Sequence, residues 1–230
     1  MYAVENDNDN LAYALIDTGV NINITDKQGK SALSYCVQTK KIGHGKSDIF
    51  DISESIACKL IKAGADVNIT ADEGETLLMY AVQYNKKNLT SALIEARADI
   101  NISDKNGKTA LIYSLQSQHN NQESLALIKA GADVNIIDHE GHTALFYALA
   151  HKDVICTLIE DGNATVNKRD EYGRSVLFYC FTESLDSTRY LLEKGGNLNL
   201  KDNCNMNIIS FWIEKLLARK KKVFQFTSKS

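Results

Sequence analysis

The 230-residue sequence contains no proline, where average usage near 5% would place about a dozen. Proline-rich linkers, polyproline ligand segments and cis-proline turns are therefore excluded. Also missing is any run of about 18 uncharged apolar residues, the length that a membrane-spanning helix needs. The first twenty residues are acidic and asparagine-rich, which is not the composition of a secretory signal peptide. The five cysteines include no C-x-x-C pair and form no regular framework. Their odd number fits a reducing compartment, where thiols act as small hydrophobes. Neither sign of charge dominates, because 26 bases stand against 29 acids for a net −3. The chain as a whole is thus not built for nucleic acid or an anionic membrane. An intracellular protein, cytoplasmic or nuclear, is expected.

What is present is a repeat, and a fixed period of 20 to 50 residues decides architecture before any local reading. The segments Gly19-Val-Asn-Ile-Asn23, Gly64-Ala-Asp-Val-Asn68, Arg97-Ala-Asp-Ile-Asn101, Gly131-Ala-Asp-Val-Asn135, Gly162-Asn-Ala-Thr-Val-Asn167 and Gly196-Asn-Leu-Asn199 end on asparagines spaced by 45, 33, 34, 32 and 32 residues. Six residues after the first five asparagines come Gly29, Gly74, Gly107, Gly141 and Gly173, and Asn205 takes that place in the sixth. Asparagine is the next-best residue for a left-handed backbone position. A short phrase follows each glycine, Ser31-Ala-Leu-Ser-Tyr35, Thr76-Leu-Leu-Met-Tyr80, Thr109-Ala-Leu-Ile-Tyr113, Thr143-Ala-Leu-Phe-Tyr147 and Ser175-Val-Leu-Phe-Tyr179. Its Ser or Thr is a helix start signal. A second apolar set at i, i+4, i+5 marks one face of another helix: Leu11/Leu15/Ile16, Ile56/Leu60/Ile61, Leu89/Leu93/Ile94 and Val154/Leu158/Ile159. Gly19, Gly64, Gly131 and Gly162 stand in the helix-stopping place. Each unit therefore reads turn, helix, short loop, helix.

This period, with Asp-x-x-Gly-x-Thr opening the first helix and Gly-Ala-Asp-x-Asn closing the second, resembles the ankyrin repeat over residues 1 to about 215. The resemblance implies an all-α solenoid of stacked antiparallel helix pairs with projecting β-hairpin-like loops. The expected layout is a half unit at 1–23, full units from about 24, 69, 102, 136 and 168, a last incomplete unit at 200–218 and a basic tail at 219–230. One helix pair cannot bury both of its faces, so each unit depends on its neighbours.

The chain departs from the family pattern in three ways. The proline of Thr-Pro-Leu-His-x-Ala is replaced by Ala32, Leu77, Ala110, Ala144, Val176 and Ile208, and the histidine by Ser34, Met79, Ile112, Phe146, Phe178 and Ser210. Proline in the first turn pre-sets φ, so the stack is expected to be softer than a consensus array. The first full unit carries about 12 extra residues, placed between its helices in Lys40–Ser53. Such an insert costs little in loop entropy and reads as a tolerated surface loop. Finally, Met1-Tyr-Ala-Val4 repeats Met79-Tyr-Ala-Val82, so the chain opens inside a first helix. That half unit is either a cap or, as favoured by the cost of exposing its apolar side, the start of a segment from a longer protein. At the other end Asn207–Ala218 reads as a last helix.

Catalytic chemistry finds little support. Cys36 and Cys180 take the small buried place held by Ala81 and Ala148, Cys58 and Cys156 fall two residues before a Leu-Ile pair, and Cys204 lies in the last turn. None is read as a nucleophile, which would need a base and an orienting group. His139 and His142 resemble half of a metal site, yet zinc needs three or four ligands. Both are expected to be exposed turn residues, and no catalytic residue, metal or cofactor is expected. From Glu214 to Ser230 six bases face one acid, a local +5, which leaves 20 bases against 28 acids, or −8, on the rest. An acidic body disfavours phosphate backbones, so nucleic-acid or histone binding ranks third.

Protein binding is the role that the resemblance implies, on the concave surface of a solenoid acting as a monomer. The family positions that point outwards fall on Asp72, Glu73, Glu75 and Tyr84; on Lys105, Asn106, Lys108 and Gln116; on His139, Glu140, His142 and His151; and on Glu171, Tyr172, Arg174 and Glu183. Tyr84 and Tyr172 are the expected anchors, since aromatic residues lead interface hot spots. The runner-up is a substrate-recruiting part of a larger enzyme. A pathogen effector also fits the Asn-, Ile- and Lys-rich composition of an AT-rich genome. Asn68 and Asn135 look like substrates for asparaginyl hydroxylation, by family resemblance.

Overall fold

A computed structural model describes residues 1–5, 8–37, 54–117, 121–180 and 185–227. The Lys40–Ser53 insert, and with it Glu183, lies outside the described residues. The chain divides into two compact bodies, Met1–Ala132 and Asp133–Ser230.

The N-terminal body holds α1 (Tyr2–Glu5), α2 (Asp9–Asp17), α3 (Ala32–Val37), α4 (Glu54–Lys62), α5 (Leu77–Gln83), α6 (Lys87–Glu95), α7 (Ala110–Gln116) and α8 (Gln122–Lys129). The C-terminal body holds α9 (Ala144–Tyr147), α10 (Lys152–Glu160), a 3₁₀ turn (Val176–Phe178), α11 (Leu185–Glu193) and α12 (Ile208–Thr227). Strand pairing among the described residues is limited to isolated antiparallel bridges such as Thr70 with Thr76 and Ser103 with Thr109. The fold is therefore all-α, with the projecting loops hairpin-like, as the period requires.

The helices start where the Ser/Thr signal places them. Thr76 Oγ1 accepts the Met79 amide at 3.2 Å, and Thr109 Oγ1 accepts the Ile112 amide at 3.4 Å. Such a cap satisfies one of the amides that a helix start leaves unpaired. In the C-terminal body Thr143 and Ser175 make no such bond. The chain tightens instead, with Phe146 donating to Thr143 and Phe178 to Ser175 at 3.0 Å, three residues back. The first helices shrink accordingly to one α turn and one 3₁₀ turn, which a helix-pair reading did not anticipate.

Burial follows the two apolar phrases. Leu77, Leu78 and Met79 of α5, Leu89 and Leu93 of α6 and Leu111 of α7 are at most 1% exposed. The C-terminal core is Leu145, Val154, Leu158, Val176, Leu177, Phe178 and Leu191, with Ile208 and Phe211 of α12 packed beside them. Phe211 meets Phe178 edge to face at 5.5 Å, and the Trp212 indole donates to the Phe178 carbonyl. The outer unit differs: Leu11 and Leu15 of α2 are 40% and 44% exposed although the same positions in α4, α6 and α10 are buried. Helix α12 also runs to Thr227, so the backbone of Arg219–Lys222 is helical where a tail was expected.

Two helix ends depart from the glycine rule. After α10 the left-handed residue is Asn163, with φ 56°, rather than Gly162. Gly162 is needed for space, since a Cβ there would lie 2.7 Å from Val134 Cγ1 and 2.8 Å from the Leu158 carbonyl oxygen. After α6, Arg97 takes φ 58°. Its amide donates to Ile94 and that of Ala98 to Leu93, the same pair of bonds that Gly64 and Ala65 make to Ile61 and Leu60. A left-handed non-glycine residue costs about 1–2 kcal/mol, partly offset in glycine by its floppier unfolded chain. Arg97→Gly should therefore stabilise the protein by about 0.5–1 kcal/mol in denaturant titration. A loss of stability would show that the arginine side chain contributes more than its backbone costs.

Candidate partner-binding face

All turn tips but one are organised by a carboxylate that stands three residues after the recurring asparagine. One oxygen of Asp104 accepts the amides of Asn106 and Lys108, both at 2.8 Å, while the other accepts the Tyr113 hydroxyl at 2.7 Å. Asp26 holds Gln28, Lys30 and Tyr35 in the same way. Asp138 holds Glu140, His142 and Tyr147, and Asp170 holds Tyr172, Arg174 and Tyr179. In the last turn Phe211 stands where the tyrosine would be, and Arg174 of the preceding unit reaches Asp202 at 3.2 Å instead. Asp104, Asp138, Asp170 and Asp202 are only 4–7% exposed. A buried carboxylate is tolerable only with such charge-assisted bonds.

The electrostatics agree with this geometry. The Tyr35 hydroxyl and the Lys30 and Gln28 amides hold the Asp26 carboxyl below its usual range. Burial pushes Asp202 upwards, but the Met206 amide and the Arg174 guanidinium outweigh it, and the net direction is down. Burial, with the paired carboxylate next, pushes the Tyr113, Tyr147 and Tyr179 phenols well above their ordinary value. The second full unit lacks the carboxylate, having Ala71 there. Its Tyr80 phenol is pushed up to about 12 by burial, with Glu75 and Tyr84 adding to it.

The recurring asparagine staples neighbouring units. Asn23 donates to the Gly64 carbonyl and accepts from the Asp66 amide; Asn68 accepts from Asp99 at 2.8 Å. In the C-terminal body Asn135 bridges Asn163 and Thr165, and Asn167 bridges Gly195 and Asn197. Asn68 and Asn135 thus have structural roles. The tips themselves are joined: the Lys105 amide donates to the Glu73 carbonyl, Glu171 to Glu140 and Asn203 to Tyr172.

On this scaffold the sequence-predicted residues fall into two sets. In the N-terminal body Asp72, Glu73, Tyr84, Lys105, Asn106 and Gln116 are exposed, and Glu75 and Lys108 are half-buried. Glu73 pairs with Lys105 at 3.5 Å, Lys108 donates to Gln116 at 3.2 Å, and the Tyr84 ring lies parallel to Tyr80. In the C-terminal body His139, Glu140, Glu171 and Tyr172 are exposed, while His151 and Arg174 are half-buried. His142 is not the exposed turn residue expected. Its side chain is 15% exposed, stacked on Phe146 at 4.7 Å, with Glu140 and Asp170 at 3.4 and 3.6 Å from its two nitrogens. The Tyr147 and Tyr179 rings stand edge-on to it. It packs a unit junction and is unavailable as a surface contact.

The chemistry-bearing candidates are placed as the register reading has them. Cys36 and Cys180 are buried, Cys58 and Cys156 half-buried and Cys204 exposed. Burial and the Glu54 charge push the Cys58 thiol up, away from nucleophilic use. Among the described residues no group of His, Cys, Asp and Glu could hold a metal ion. None of their helices is long and apolar enough to cross a membrane.

The family model for ankyrin repeats (3 copies) matches residues 51–138 and 118–202. Two solved structures show the fold. One is of the Bd0816 predatory endopeptidase from Bdellovibrio bacteriovorus in complex with immunity protein Bd3460, of which one chain is 24% identical with a TM-score of 0.64. That match covers 70% of this chain and 85% of that one. The other is EF0377, an ankyrin repeat protein, at 22% identity and a TM-score of 0.64, covering 75% of this chain and 91% of that one. No curated protein matches the sequence.

The aspartate–tyrosine bonds set an alkaline limit. A phenol whose folded value is raised contributes stability fully present below about pH 10, its ordinary value, and lost as pH rises through the folded value. Absorbance titration should show Tyr113, Tyr147 and Tyr179 still protonated at about pH 10, with stability falling as pH rises further. Ionisation of all ten tyrosines near pH 10 with the fold intact would contradict the pairing.

Proposed function

The chain belongs to the ankyrin-repeat family, whose members are protein-interaction modules, and from that premise we propose that it binds another protein through its turn tips and the adjoining first helices. The observation that carries this reading is the exposure of two large aromatic side chains, Tyr172 on a tip held from beneath by Asp170 and Tyr84 at the end of α5. Tyr84 is 41% and Tyr172 52% exposed. Tyr172 follows directly on the amide that Asp170 fixes, and the Glu171 carboxylate beside it pushes its phenol up. An aromatic anchor on a preordered backbone loses little entropy on binding.

In the N-terminal body the proposed contacts are Asp72, Glu73, Glu75, Tyr84, Lys105, Asn106, Lys108 and Gln116, and in the C-terminal body, taken by itself, His139, Glu140, His151, Glu171, Tyr172 and Arg174. The protein is a binding module without chemistry of its own, working in a reducing compartment, a setting that the odd number of cysteines supports. Affinity capture from the source cell with wild type and with Tyr84→Ala/Tyr172→Ala tests the assignment. The partner should be lost or weakened at least about tenfold while thermal unfolding stays unchanged. Unchanged capture by the double variant would end the reading.

A further inference from the structure

Of the two pairs of neighbouring tips in the N-terminal body, one lacks the tip-to-tip backbone bond. The bond equivalent to those from Lys105 to Glu73, Glu171 to Glu140 and Asn203 to Tyr172 would run from the Asp72 amide to the Gln28 carbonyl, and it is not made. A cleft of about 750 Å³ lies there instead, between Gln28 and Lys30 on one tip and Asp72, Glu73 and Glu75 on the next, with Tyr80 also lining it. That volume is within the range of ligand sites, roughly 300–1,000 Å³. Ala71 stands where the other tips carry the buried aspartate, so the Glu73 and Glu75 amides lack its side-chain acceptor, although the backbone bonds from Ala71 to Glu75 and from Gly74 to Ala71 are kept.

The cleft has a definite chemistry. An extended chain entering it meets a free donor, the Asp72 amide, and a free acceptor, the Gln28 carbonyl, which is the pairing used when a peptide adds to an exposed edge. Its side chains meet a wall of three carboxylates. Lys30 lines the opposite side, one base against three acids, and Lys105 pairs with Glu73 at 3.5 Å, where an exposed ion pair contributes little. Tyr80 supplies an aromatic ring to the lining, a group suited to a cation. A phosphate backbone would be repelled by the same wall.

Resting on the reading that the tips bind a partner, we propose that this cleft takes an extended basic segment of that partner, its backbone bridging Gln28 and Asp72 and an Arg or Lys side chain paired with Asp72 and Glu75. The test uses the full chain and two fluorescent ten-residue probes, one alternating Arg and Ser, the other alternating Glu and Ser. The Arg probe should bind at least about tenfold tighter than the Glu probe and move the amide resonances of Gly29 and Asp72. Asp72→Lys/Glu75→Lys should lose at least about tenfold, while Glu193→Lys on α11 changes nothing. If the lysine pair unfolds the chain, Asp72→Asn/Glu75→Gln carries the same test. Equal binding of the Arg probe by the cleft variant, or resonance shifts confined to other regions, overturns the proposal. The two readings also separate: a captured partner lost in the tyrosine variant but kept in the cleft variant leaves the interface standing and removes the basic-segment assignment.

Discussion

A carboxylate buried beneath a turn must find donors, and in this protein that requirement shapes every tip where it applies. Asp104 is accommodated at 6% exposure because two amides and a phenol converge on it. Those same bonds brace the turn and tie it to the tyrosine nine residues on. The tips are therefore determined from beneath and free on top, which is the arrangement a preordered binding surface needs. Where the donor set changes, the structure compensates: at Asp202 the absent tyrosine is replaced by Arg174, tying two units together. Where the carboxylate itself is missing, at Ala71, the turn keeps its backbone bonds, and a cleft lies between that tip and the one before it.

Stacking adds a second layer of specification. Each unit leaves apolar residues that only its neighbour can cover, and the asparagine staples ensure that the neighbour arrives in one register. The two bodies meet this demand differently. In the N-terminal body capped α5 and α7 run two turns, whereas in the C-terminal body uncapped Thr143 and Ser175 leave single turns whose loss of helix is matched by aromatic packing of Phe146, His142 and Tyr179. Ser175 Oγ is buried without a hydrogen-bond partner, the visible cost of that exchange.

Much of this was legible in the sequence, and the reasons are specific. The period, the glycine positions and the Ser/Thr starts declare the helix pairs because each answers to local backbone physics. Asn205 at φ 61° is an instance, foreseen from its alignment with five glycines. The aspartate hub was visible only as part of a motif. Its partner tyrosine lies nine residues on, and nothing in local periodicity says that the two side chains meet. The signal was there all the same, since Asp26, Asp104, Asp138 and Asp170 each pair with a tyrosine at that interval while Ala71 breaks the set. His142 was misjudged for a related reason. Its equivalents Lys108 and Glu75 are half-exposed, but a flat ring can slide between Phe146 and the next unit's tip, a contact that depends on what lies 37 residues away at Tyr179. Gly162 was read for its φ when the controlling constraint was the space beside Val134.

The dependence of the tips on the buried carboxylate is tested most directly by amide hydrogen exchange in Asp104→Ala. The account predicts that the Asn106 and Lys108 amides, and the Lys105 amide bonded to Glu73, exchange faster by about tenfold or more, with a loss of about 2–4 kcal/mol in unfolding stability and the core amides of α6 following only that global loss. Unchanged protection at Asn106 and Lys108 would mean that the turn holds its shape without the carboxylate, and the account would be wrong.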